Sequence, residues 1–87
     1  MDKTTDFVTT IQKNQALLYK VAGFYVDNLH DREDLVQEII YQLWRSYDSF
    51  NNKASITTWM YRVAMNTSIW FIKKKRRSVV TQSMDKD

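Results

Sequence analysis

The 87-residue sequence has no cysteine, no proline and a single glycine. Without cysteine the chain cannot use disulfides or thiolate metal sites, which suits a reducing cytoplasm. One glycine and no proline leave almost no punctuation for hairpins, so an all-helical fold is favoured over a sheet. The longest apolar runs are only a few residues, far below the roughly twenty that a membrane-spanning helix needs. Met1 to Thr10 is polar and lacks the apolar segment and cleavage site of a secretory signal. There is one histidine, His30, no nucleophile set beside a base and no glycine-rich phosphate loop, which argues against an enzyme. The expectation is a soluble, cytoplasmic, helical protein without a cofactor.

What is present is enough for one small domain. A hydrophobic content of 44%, with 14% aromatic, can build a compact core in a chain of this length and makes disorder throughout untenable. The net charge of +3 conceals a division. Residues 1–50 hold five Lys or Arg and eight Asp or Glu, a net of −3, whereas residues 51–87 hold eight and two, a net of +6. Segregation of this kind points to two partners of opposite character.

Helical spacing divides the chain into three stretches. From Asp6 to Tyr25, Phe7, Ile11, Leu18, Val21, Ala22 and Tyr25 follow one face, with Gly23 a late weak point. Asp27 to His30 form a polar connection, and Asp31 is placed to cap a second helix of about residues 32–47. At about 100° per residue its sides separate cleanly, with Leu35, Val36, Ile39, Ile40, Leu43 and Tyr47 apolar and Asp34, Gln37, Glu38, Tyr41, Arg45 and Asp48 polar. Trp44 falls at the border. Phe50 is expected to tuck back onto the core before an amide- and hydroxyl-rich loop, Asn51 to Ile56.

The third helix, about residues 57–76, has Ser55 or Thr57 as candidate cap and an apolar stripe of Ile56, Trp59, Met60, Val63, Thr67 and Trp70. Its other side mixes Tyr61, Arg62, Met65, Ile69, Ile72 and Arg76, more than a solvated face would favour. Five consecutive cations, Lys73 to Arg77, exceed what a helix dipole can use and suggest an anionic partner. The tail 78–87 has no sustained period and is expected to fray.

Three fragments, DREDLVQE at Asp31 to Glu38, the terminal Phe50, and TWMYRVAMN at Thr58 to Asn66, together resemble region 2 of a bacterial RNA polymerase sigma factor of the extracytoplasmic-function (ECF) class. The likeness spans roughly residues 31–77. It implies a small bundle of three helices, or four where a short extra helix precedes the first, although there is little room for one before Asp6. The helix-turn-helix domain of a complete factor has no counterpart in these residues, and the expectation is an isolated domain unable to direct initiation alone.

The resemblance also implies roles by position. The polar face of the second helix would dock on the coiled coil of the polymerase β′ subunit through Asp34, Leu35, Gln37 and Glu38, with Tyr41, Gln42 and Arg45 as neighbours. The loop and third helix would open the −10 promoter element and hold its non-template strand through Asn51, Asn52, Lys53, Ser55, Thr58, Trp59, Met60, Arg62 and Asn66. Cations at Lys73, Lys74, Arg76 and Arg77 would hold phosphates, giving affinity and register rather than sequence choice. An anti-sigma factor is a further implied partner, and a monomer the implied state.

Plainer readings stand beside these. Trp59 and Trp70 occur at core spacing, and the wheel buries Trp59 where the resemblance puts it against DNA. Asn66 serves equally well as a structural amide between helices. Asp34 and Glu38 share a face, but no closed ligand set accompanies them, so no metal is expected. Taken alone, the basic run would fit a module that binds nucleic acid without sequence preference, or an amphipathic segment on an anionic membrane or in a protein groove.

Overall fold

Three of the four α-helices begin where a side chain satisfies a free backbone donor of the first turn. The computed structural model describes residues 2–50 and 54–86, with side chains described as far as Arg76. Over these residues the chain forms α1 (Lys3–Lys13), α2 (Gln15–Tyr25), α3 (Leu29–Ser46), a 3₁₀ turn (Tyr47–Ser49) and α4 (Ile56–Lys86). Asp2 caps α1 by accepting from the Thr5 amide at 2.8 Å. Asn28 caps α3 by accepting from the Asp31 amide at 2.7 Å. Ser55 Oγ accepts from the Thr58 amide at 3.1 Å at the start of α4.

Three boundaries differ from those expected. The first stretch is two helices: Asn14, at φ −115° and ψ 16°, leaves the helical region, and its side-chain amide donates to the Thr10 carbonyl at 2.8 Å. An amide side chain that competes for a backbone acceptor ends one helix and lets another begin. The short extra helix of the four-helix alternative is therefore α1, which starts ahead of Asp6, at Lys3, and takes in the first part of the stretch expected to be one long helix. The second difference is the cap of α3, which is Asn28 rather than Asp31; Asp31 lies inside the first turn and its carboxylate accepts from the Asn28 amide at 2.9 Å. Third, α4 runs through the stretch expected to fray, since neither glycine nor proline stands there to stop it.

The core lies where α2, α3 and α4 meet. Leu18, Leu35, Ile39, Leu43 and Met60 are fully buried there, with Val21, Ala22, Val36 and Ala64. Burying an aliphatic side chain of this size contributes about 1.5–3 kcal/mol. α1 adds Phe7, which closes the core from the side of the 3₁₀ turn. The buried stripe of α4 is rotated by about one residue from the expected one, to Met60, Ala64, Thr67 and Ser68. Ala64 and Ser68 are small, so neighbouring helices can approach α4 closely along that line. Ser68 avoids an unmet hydroxyl by donating to the Ala64 carbonyl at 2.7 Å.

Candidate functional site

The face of α3 opposite the core carries a polar strip. Asp34, Gln37, Tyr41 and Arg45 are exposed; Glu38 and Gln42 are half-buried and joined by a 3.0 Å bond from the Gln42 amide to the Glu38 carboxylate. His30 approaches Asp34 at 3.5 Å one turn away, an ion pair only when the imidazole is protonated. The Arg45 guanidinium lies 5.8 Å from the centre of the Tyr41 ring. The strip is thus held on a helix whose other side is fixed by Leu35, Val36, Ile39 and Leu43. Leu35 is a correction to the expected docking set: it is fully buried, so it supports the strip from beneath and offers nothing to a partner.

On α4, Thr58, Arg62, Asn66, Lys73, Lys74 and Arg76 are exposed. Ser55 is exposed as well, with its hydroxyl engaged locally by the Thr58 amide and hydroxyl. Met60 is the second correction: it is fully buried, and its side chain cannot meet a strand. Trp59 is half-buried, its ring 5.1 Å from Phe50 and 6.1 Å from Tyr47, which agrees with the packing role the wheel gave it. Phe50 does return to the core edge, through that contact. Asn51, Asn52 and Lys53 lie outside the described residues, as does the side chain of Arg77.

Between α3 and α4 opens a cleft of about 390 Å³, lined by Gln42, Arg45, Asn66, Thr67 and Trp70. A second hollow, of about 370 Å³, shares most of these residues and continues to Ser46, Ser49 and Val63 at the end that leads to Phe50. Gln42 and Arg45, expected beside the docking strip, therefore also face Asn66, expected at the strand. Trp70 is not the core residue its spacing suggested: it is 47% exposed, with Lys74 Nζ 5.0 Å from its ring. The sequence signal for its exposure was the small pair Ala64 and Ser68, one turn apart, which marks the true buried line.

One cation of the basic run is already engaged. Lys75 Nζ donates to Asp31, bridging the middle of the run to the start of α3. That contact, and secondarily the Asn28 amide, holds the Asp31 carboxyl below the usual carboxylate range. Asp2 is lowered as well, chiefly by the Thr5 amide it caps.

A row of aromatic rings ties α1 to the turn that precedes the loop. Phe7 meets Trp44 edge-on at 5.0 Å and Tyr47 at 5.1 Å; Tyr47 and Phe50 both reach Trp59. Lys3 spans the same corner, 2.9 Å from Asp48 and 4.6 Å from the Trp44 ring. Among the described residues no helix is long and apolar enough to cross a membrane.

A family model described as Sigma-70 region 2 matches residues 10–78. Among curated relatives, the ECF RNA polymerase sigma factor SigG of Mycobacterium tuberculosis is 41% identical over 59 residues, covering 68% of this chain and 15% of the relative. The RNA polymerase sigma factor SigV of Bacillus subtilis is 33% identical over 70 residues, covering 80% and 42%. SigW of the same organism, an ECF RNA polymerase sigma factor, is 34% identical over 59 residues, covering 68% and 32%. The chain thus spans less than half the length of these relatives. No solved structure matches it at a significant level.

Proposed function

The chain belongs to the Sigma-70 region 2 family, and from that premise we propose that it is the domain of an ECF sigma factor that docks on core polymerase and opens the −10 promoter element. The polar strip of α3 binds the β′ coiled coil: exposed Asp34 and Gln37, with Glu38 beside them, offer directed acceptors to Arg and Lys of that partner. The loop after Phe50 and the exposed side of α4 hold the non-template strand. There Arg62, Lys73, Lys74 and Arg76 meet phosphates, and Asn66 reads a base edge from the cleft.

No covalent step is needed. Unstacking a base costs a few kcal/mol, and stacking it on a protein ring returns about 1–3, so capture offsets much of the cost of opening without ATP. The protein acts in the cytoplasm, as a monomer, on the polymerase and promoter found there. An anti-sigma factor is its regulator, and the exposed Tyr61 and Ile69, on the flank of α4 away from the cleft, suit such a protein partner.

The observation that carries this reading is the exposure of the α3 strip on a helix locked from behind by core residues, apart from the cations of α4. A pull-down with the β′ coiled coil tests it. The double substitution Gln37→Ala, Glu38→Lys is expected to abolish capture with the circular dichroism unchanged; retained capture would refute the docking assignment. Scrambling the −10-like bases of a labelled non-template strand at fixed salt is expected to weaken its binding, and equal affinities would count against sequence capture.

A further inference from the structure

The geometry points to Trp70 as a base-stacking residue, with Arg45 facing it across the cleft as a phosphate contact, so that the strand track continues along the α3–α4 cleft past Asn66. This rests on the strand-binding half of the proposed function and extends it to two residues outside it. A tryptophan that is 47% exposed leaves a large apolar ring in water, and the cleft it lines has room for a ligand that would cover it. Lys74 Nζ lies over one face of the ring, 5.0 Å from its centre, so a base that stacks on the indole takes the other face or displaces a flexible lysine that is then free to meet a phosphate. Across the cleft stands exposed Arg45.

Charge and length agree with a nucleic acid strand. Among the described residues the one carboxylate bonded to a cleft residue is Glu38, which accepts from the Gln42 side-chain amide and leaves the Gln42 side-chain oxygen to read a base amine. The cleft runs beside α4 from Val63 to Trp70, seven residues or about 10 Å, room for two to three stacked nucleotides. Its near end adjoins Ser46 and Ser49, in the turn that leads to Phe50.

The test pairs substitutions with missing bases. A short labelled deoxyoligonucleotide, single-stranded and with one abasic site moved along it, is titrated at low salt into the wild-type chain and into Trp70→Ala, Trp70→Phe and Arg45→Ala. In the wild type, removing one particular base should weaken binding about tenfold, the scale of a lost stack. In Trp70→Ala that penalty should vanish while penalties elsewhere remain, and Trp70→Phe should restore most of it. Arg45→Ala should lower affinity at all positions and flatten the salt dependence. A merely structural Trp70 would weaken every oligonucleotide alike, and that result overturns the proposal, as does a wild type that binds no strand. Polyglutamate that quenches tryptophan emission in the wild type but not in Trp70→Phe, as strongly as the strand does, would make the cleft an acidic-peptide site and overturn it too. Because Trp70 and Arg45 are untouched in the Gln37, Glu38 variant, failure here is separable from failure of polymerase docking.

Discussion

Gly23 lies inside α2, where a Cβ would stand 3.5 Å from Arg32 Nε, an ordinary contact. Glycine in a helix interior costs about 0.5–1 kcal/mol relative to alanine, so Gly23→Ala should raise stability by about that much in urea denaturation. A loss of stability would mean that Arg32 cannot yield. Asp31 gives a pH prediction. Its carboxyl is lowered in the folded chain by Lys75, so the pair stabilises fully above the unfolded value of about 3.9 and is lost as pH falls through the folded one. The gap in melting temperature between wild type and Asp31→Asn should therefore be constant above about pH 5 and close in more acidic buffer. A gap that persists unchanged in acid would deny the pair its role. Single residues were the least legible level of the sequence. The resemblance points to Leu35 and Met60 as contacts because it works by position, whereas their apolar character fits the core in which both are buried.

The helices read more clearly than the residues on them. α3 was legible in nearly full detail, because its two sides differ so sharply in polarity, and only its first turn was misplaced. α4 was legible as a helix but not in its rotation: large aromatic residues drew the stripe toward Trp70, while small Ala64 and Ser68 make the close contact. The break at Asn14 left no mark in the apolar period, since Phe7, Ile11 and Leu18 lie at near-helical spacing on either side of it. The element α1 braces the corner before the loop through Phe7, which is nearly buried between Trp44 and Tyr47. Phe7→Ala should cost about 3–5 kcal/mol by urea denaturation, with Phe7→Leu recovering part of it. A cost under about 1 kcal/mol would show that α1 is not part of the cooperative unit.

At the scale of the whole molecule, the division of charge read from the sequence becomes a division of surfaces. The acidic and amide groups gather on the outer side of α3, and the cations extend along α4, with Lys75 turned back to Asp31. The cleft, lined from both helices, is where the two surfaces meet; nothing short of the folded arrangement brings Arg45 to Asn66 and Trp70. Titration calorimetry of the β′ coiled coil against Glu38→Lys and against Lys74→Glu tests the separation most directly. We predict that Glu38→Lys weakens binding at least about tenfold, or 1.4 kcal/mol, and that Lys74→Glu leaves Kd within about twofold. Equal losses in both variants, or an unchanged Kd for Glu38→Lys, would contradict the account.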